Sequence, residues 1–346
     1  MQALILAGGK GTRLRPLTVY TPKPIVPVVN RPFLLYQIEI LRDAGITDIT
    51  LSLSYQPDKI QHVLGNGSEF GVNLRYITEP SPMGTGGAYK FAEDAIRETT
   101  VVFNGDILTD LDVSKVIDFH RLKASDATIS LVAVGDPSRF GVVEVDDGQR
   151  IVRFVEKPSQ DELAKLNLNT INAGVYILEP AILDLIPKDE NRSFEYDIFP
   201  EILSRGLPFY GYLMKDSYWI DIGATENYLL AHHDFLSGKI KGVDLGGNAV
   251  SDVATTAEID RLSVIGEGCT IKPGVRITNS VIGAGVLVEE KAVIENSVIW
   301  SHTRVSSAAQ IRKAIVGRSC HIGRNAVVGE NSVLGDKTTL TDYTKV

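Results

Sequence analysis

Short apolar runs of strand length recur along the first two thirds of the chain, at 3–7, 49–54, 74–78, 100–104, 128–134 and 173–178. Between the early runs, apolar residues return at the three-to-four spacing of an amphipathic helix, over 33–44, 57–64, 86–96 and 113–123. Strands alternating with helices predict a Rossmann-like, doubly wound α/β core with a mixed, mostly parallel sheet. In such sheets ligands bind beyond the carboxyl ends of the strands, so the loops after the strands are where chemistry is expected.

From residue 264 the helical period disappears. Apolar residues stand at Ile265, Ile271 and Ile277, then at Ile282, Val288 and Ile294, then at Ile299, Val305 and Ile311. The steps of six, six and five residues define a 17-residue coil, and Val264-Ile265-Gly266, Val281-Ile282-Gly283, Val298-Ile299-Trp300 and Ile315-Val316-Gly317 share one edge of a prism. The register predicts a parallel β-helix. Its units resemble the hexapeptide-repeat family, which implies a left-handed coil. A stack of this kind is a scaffold, and its open end predicts a homo-oligomer formed through the β-helix. His302 and His321, the only imidazoles of the tail, are expected to be structural or surface groups. Cys269 and Cys320 fall in one column three coils apart, about 14 Å at the strand spacing, too far for a disulfide. The expected organisation is an α/β domain over 1–240, a linker or irregular first coil over 241–263, and the β-helix over 264–346.

Composition narrows the possibilities. A chain of 346 residues with 44% hydrophobic and 23% charged residues is of ordinary globular type, with no apolar run of membrane-spanning length. A net charge of -8 argues against a nucleic-acid surface, so phosphate binding has to be local. Two cysteines make no disulfide framework, and a cytoplasmic, reducing location is the expectation.

Directly after the first apolar run stands Leu6-Ala7-Gly8-Gly9-Lys10-Gly11-Thr12-Arg13-Leu14. Glycines there let backbone N–H groups approach phosphate oxygens. The loop lacks the Gly-Lys-Ser/Thr ending of a Walker A sequence, and Leu14 stands where a dinucleotide fingerprint needs a third small residue. The full run from Gly8 to Thr18, followed by Pro22-Lys23-Pro24, resembles the signature of the sugar-1-phosphate nucleotidyltransferases. The resemblance extends over essentially the whole chain. It implies that Leu6, Ala7, Gly8, Gly9, Gly11 and Thr12 wrap the nucleotide while Arg13 and Lys23 neutralise its triphosphate. Pro82-Met83-Gly84-Thr85-Gly86-Gly87-Ala88 is similar to the family's base-reading segment, through Gly84 and Thr85; read from the residues alone, it is a helix N-terminus capped by Thr85.

The same resemblance places a magnesium ligand at Asp106, in Asn104-Gly105-Asp106, and a second at Asp221, in Trp219-Ile220-Asp221-Ile222-Gly223. Hard carboxylate and phosphate oxygens suit that ion. Asp110 and Asp112 are read instead as a turn residue and the cap of the helix near Val113. Sugar-phosphate recognition is implied for Gly141, for Glu156 and Lys157 of Val155-Glu156-Lys157-Pro158, and for Asn172, with Ser193–Pro200 a further related element containing Glu195.

The implied reaction is direct displacement at the α-phosphorus of a nucleoside triphosphate by a sugar 1-phosphate. Catalysis then rests on Arg13, Lys23, Asp106 and Asp221, without membrane or nucleic-acid partners. Pro22-Lys23-Pro24 with a short β-helix is most similar to the mannose-1-phosphate guanylyltransferase branch, implying GTP and mannose 1-phosphate. UTP or dTTP with glucose 1-phosphate is the alternative. Two rivals are a non-catalytic nucleotide-sugar sensor, disfavoured by the retained Arg13, Lys23, Asp106, Lys157 and Asp221, and an acyltransferase, for which no coenzyme A feature is present.

Overall fold

The structure is a computed structural model that describes residues 1–166, 168–241 and 251–346. The chain divides into two compact units, Met1–Lys10 with Tyr36–Trp219, and Gly11–Leu35 with Ile220–Val346.

The first unit is built on a nine-stranded sheet of β1 (Gln2–Leu6), β2 (Asp48–Leu53), β3 (Asn73–Thr78), β4 (Thr100–Asn104), β5 (Ala127–Ala133), β6 (Gly141–Val145), β7 (Ile151–Glu156), β8 (Thr170–Leu178) and β9 (Phe209–Leu213). The order is β7-β6-β8-β4-β1-β2-β3, with β5 also on β8 and β9 on β5. Strands β4, β1, β2 and β3 run parallel, and β8 runs antiparallel to β4, β5 and β6. The parallel strands are apolar on both faces: Ala3, Leu4, Ile5, Val101, Val102 and Phe103 are all buried. That burial requires helices on both sides.

Helices α1 (Leu34–Asp43), α2 (Pro57–Leu64), α3 (Gly84–Phe91) and α4 (Val113–Leu122) supply the early connections. Pro57 opens α2, where its missing N–H is harmless. Asp112 caps α4 by accepting from the Lys115 N–H at 3.4 Å, as the sequence predicts. Helix α3 starts two residues before the expected 86 and gives way to a 3-10 turn at Glu93–Ala95. There the Ala92 N–H is shared between the carbonyls of Ala88 and Tyr89, which tightens the last turn. Tyr176, Phe194, Phe199 and Phe209 pack their rings at 5.3–5.5 Å under the sheet. Strands β6, β7 and β9 and the helix Thr225–Leu236, here α5, are not among the elements predicted from periodicity.

The second unit contains the Gly11–Leu35 segment, α5 and the β-helix. The three sheets of the β-helix are all parallel. Successive strands are offset by 18 residues in the first pairs, Asp252↔Thr270 and Glu258↔Arg276, by 17 from Val264↔Val281 to Gln310↔Val327, and by 18 again at Ile315↔Val333 and His321↔Thr339. The predicted positions fill the interior, with Ile271, Ile282, Val288, Ile299, Val305 and Val316 at most 1% exposed. Of the expected linker 241–263, residues 242–250 lie outside the described residues, while Asp252–Val253 and Glu258–Ile259 already pair with the following coil. Corner hydroxyls tie the coils together: Ser263, Ser280 and Ser297 each accept from the backbone N–H 17 residues later. Thr303 does the same for Cys320. Both cysteines are buried and free, as the column spacing requires.

Candidate active site

In the first unit, β1 delivers the glycine loop to the carboxyl edge of the sheet. The Ser54 hydroxyl donates to the Gly8 carbonyl at 2.5 Å, and a Cβ on Gly8 would come within 3.0 Å of both Ser54 Oγ and Glu79 Oε1. Around Gly9 a Cβ would meet nothing within 4 Å, so that backbone is open to a ligand. The next strand, β4, ends at Asn104-Gly105-Asp106. Gly105 donates to the Leu6 carbonyl at 2.9 Å, and a Cβ there would sit 2.6 Å from that oxygen. Only glycine therefore lets the Asp106 turn lie against Leu6 and Ala7 of the loop.

Segment 82–88 packs on residues 190–195. A Cβ on Gly84 would lie 2.4 Å from the Arg192 carbonyl, and one on Gly87 would lie 2.5 Å from that of Glu190. Those glycines therefore serve close backbone packing, whatever else they contact. Thr85 does not cap α3, which has no side-chain cap. Its hydroxyl donates to Glu195 at 2.8 Å and accepts from the Phe194 N–H at 2.8 Å. Glu195 also accepts from the hydroxyls of Ser193 at 2.5 Å and Tyr176 at 3.3 Å.

Gly141, Glu156, Lys157 and Asn172 fall on three neighbouring strand ends. Glycine at 141 leaves room for its neighbours, since a Cβ would sit 2.5 Å from the Phe154 ring and 2.7 Å from Glu156 Oε2 and displace one or both. Strand β8 changes register between Asn172 and Tyr176, across Gly174 at φ +74°. The bulge lets Asn172 Oδ1 accept from the Gly174 N–H, while its amide donates to the Tyr176 hydroxyl at 3.0 Å. Burial pushes that phenol well above its ordinary value, and the charge of Glu195 adds to the effect. Lys157 reaches Glu156 at 3.2 Å, and its ammonium also lies 5.8 Å from the centre of the Tyr196 ring. An ion pair alone would lower the Glu156 carboxyl. Burial outweighs Lys157 and raises it, helped by the charge of Glu195. Lys157 also shifts upward, since Glu156 and the nearby negative groups overcome the burial that opposes its charge.

The second unit assembles Arg13, Lys23 and Asp221. Three short 3-10 turns, Thr12–Leu14, Leu17–Val19 and Lys23–Ile25, fold the segment around buried Leu14 and Leu17. Gly11 takes φ +61°, and its carbonyl accepts from the Thr18 hydroxyl at 2.7 Å. Asp221 then receives Arg13 at 3.5 Å on one oxygen, with Lys23 at 3.9 Å and the Gly223 N–H at 2.6 Å on the other. Lys23 is buried, whereas the Arg13 side chain is 65% exposed. No group of three or more His, Cys, Asp or Glu side chains suited to a metal occurs among the described residues.

Residues 2–238 match the family described as nucleotidyl transferase, and residues 247–346 match the LbH domain of EIF2B subunit epsilon. The chain belongs to the nucleotidyl transferase family. It is 38% identical over 301 residues to the mannose-1-phosphate guanylyltransferase of Mycobacterium tuberculosis, covering 84% of this chain and 81% of that protein. The UTP–glucose-1-phosphate uridylyltransferase of Synechocystis is 34% identical, over 92% of this chain and 88% of its own length. Among solved structures, HddC from Yersinia pseudotuberculosis complexed with GMP-PN matches at 36% identity and TM-score 0.57, covering 68% of this chain and 99% of that one. The tail match agrees with the parallel coil and with the left-handed β-helix expected for the repeat.

Two residues of this nucleotidyl transferase escaped the sequence reading. Glu79, at the end of β3, is only 7% exposed, with no basic group among its hydrogen-bond partners in the described residues. Its oxygens accept from the Ser52 hydroxyl at 2.8 Å and the Met83 N–H at 3.3 Å, which places a buried carboxylate between the glycine loop and segment 82–88. Gln37 on α1 is fully buried and donates to the carbonyls of Asn104 and Ile107 at 2.9 and 2.8 Å, fixing both sides of the Asp106 turn. The one available signal was polarity: an acid ending a strand and an amide on the apolar face of a helix are unusual residues to bury.

Proposed function

We propose that the protein transfers the nucleotidyl group of GTP to mannose 1-phosphate, forming GDP-mannose and releasing pyrophosphate. The observation that carries the choice of base is Glu79. A carboxylate has only acceptors to offer, and with two oxygens it keeps lone pairs beyond those engaged by Ser52 and Met83. The Watson–Crick edge of guanine presents two adjacent donors, N1–H and N2–H, which such a group complements. Uracil and thymine present a single donor between two carbonyl acceptors, which a buried carboxylate repels. Relatives named for guanylyl transfer and the guanine nucleotide named with HddC support this reading.

In the reaction, a phosphate oxygen of the sugar phosphate, already ionised at neutral pH, attacks the α-phosphorus. A new P–O bond forms as the bond to the bridging oxygen of pyrophosphate breaks, and pyrophosphate leaves with that electron pair. Arg13 and Lys23 offset the charge on the triphosphate, and Lys157 holds the sugar phosphate. Glu156 and Asn172 orient the sugar. Asp106 and Asp221 would hold magnesium, which supplies additional charge neutralisation when bound.

Pyrophosphate release with magnesium, across GTP, UTP, dTTP, ATP and CTP paired with mannose or glucose 1-phosphate, tests the proposal. GTP with mannose 1-phosphate should give the highest kcat/KM. Preference for UTP or dTTP would overturn the role given to Glu79, and silence across the panel would overturn the reaction.

A further inference from the structure

The β-helix repeats a glycine at one corner, at Gly266, Gly283 and Gly317, and breaks the rule once, at Trp300. The rule has a steric basis. A Cβ at Gly266 would lie 2.6 Å from the Ala284 nitrogen, at Gly283 2.5 Å from that of Ser301, and at Gly317 2.7 Å from that of Asp336. Trp300 is only 2% exposed, yet it is not part of the apolar interior of the prism. Its indole N–H instead donates to the hydroxyl of Tyr228 on α5 at 3.1 Å.

Tyr228 passes the connection on, because its hydroxyl donates to the carbonyl of Pro27. Pro27 belongs to the small hairpin that pairs Pro27–Val28 with Arg31–Pro32, directly after the turn containing Lys23. The tip of that hairpin is tied to the β-helix separately, as the Asn30 amide donates to the Ile282 carbonyl at 2.9 Å. The neighbour of Tyr228 on α5, Asn227, donates to the Asp221 carbonyl at 2.8 Å. Two consecutive residues of one helix thus hold Asp221 and the hairpin that follows Lys23, and Trp300 holds that helix turn from the coil side.

We infer that Trp300 is a positioning residue for triphosphate binding: through Tyr228 and Pro27, this coil of the β-helix sets the place of Lys23. The inference rests on Lys23 binding the triphosphate, as proposed above. It concerns how that residue is held, so the experiment needs a readout independent of turnover. Affinity for inorganic tripolyphosphate, measured by calorimetry, serves, together with backbone amide exchange over residues 24–33.

Trp300→Phe and Tyr228→Phe each remove one link while keeping an aromatic ring. Ile311→Val, a change of one methylene in the prism interior, controls for general loosening of the coils. Both Phe variants are expected to lose about five-fold in tripolyphosphate affinity and to exchange the hairpin amides about ten-fold faster, with the control close to wild type. The double variant should be no worse than the weaker single, because both changes cut one chain of contacts. In turnover, KM for the nucleotide should rise while KM for the sugar phosphate stays constant. Unchanged affinity in Trp300→Phe, or equal losses in all three single variants, would overturn the inference. If wild type binds tripolyphosphate but turns over no substrate pair, the reaction fails and the positioning role is still decided by the affinities. If wild type does not bind it, Lys23 is not a triphosphate ligand and the inference falls.

Discussion

Replacing Glu79 by glutamine changes one oxygen to an NH2 group and removes a negative charge, with almost no change of volume. A hydrogen bond to a charged group contributes roughly 1.5–3 kcal/mol. In the contact proposed with guanine the carboxylate accepts two. Glutamine keeps at most one, in weaker neutral form, and turns a donor toward the other. The loss should be about 3–4 kcal/mol, or several hundredfold in kcat/KM for GTP. With UTP or dTTP the amide now matches one carbonyl and the N3–H, and kcat/KM should rise by about tenfold. The fold pays less: Ser52 and Met83 both donate to Glu79, and loss of one such acceptor costs about 1–2 kcal/mol. A thermal melt separates that loss from the kinetic one. The assay is competitive turnover of GTP against UTP and dTTP at fixed sugar phosphate. An unchanged ratio of GTP to UTP use in Glu79→Gln would refute the reading of this carboxylate.

Asp106→Asn should abolish turnover while leaving the melting temperature close to wild type; an active variant with normal magnesium dependence would remove Asp106 from the metal site. Gly141→Ala forces a Cβ against Phe154 and Glu156, and should destabilise by about 1–3 kcal/mol and raise KM for the sugar phosphate more than for the nucleotide, as steady-state kinetics would reveal. Burial lowers His232 to about 4, so below about pH 6.5 the unfolded chain binds a proton that the folded chain refuses. Its contribution to stability is complete above that pH and falls by about 2 kcal/mol between pH 7 and pH 5. Urea unfolding of wild type and His232→Gln should therefore converge by that amount as pH falls, and parallel curves would contradict it.

Periodicity exposed the parallel core because its strands are apolar on both faces and its helices have one apolar stripe. Strand β7 escaped because its partly exposed residues, with Arg153 and Val152 on the surface, give no apolar run. Strand β9 has Gly211 in its middle, where a side chain would strike Leu131. The β-helix was the most legible part, since each coil repeats the same interior demand. Phosphate, metal and sugar candidates came from loop sequences whose similarity to a family carried most of the argument. Glu79 and Gln37 did not, because one acid and one amide acquire meaning only when distant carbonyls and N–H groups gather around them. The pairing of Arg13 and Lys23 with Asp221 was equally invisible, since it depends on how residues some 200 positions apart meet.

The hydroxyl bonds at the corners of the β-helix reach only from one coil to the next. Length in such a stack is therefore counted in whole turns. Removing residues 303–319, one 17-residue period, would put Cys320 in the place of Thr303 and return every later residue to an equivalent station. Removing one residue from within a strand would turn the interior side chains that follow toward solvent until a turn recovered the phase, as the turns of the 18-residue steps do. The larger deletion should be the milder one, so the tail is lengthened or shortened most readily like a string of interchangeable beads, by the bead.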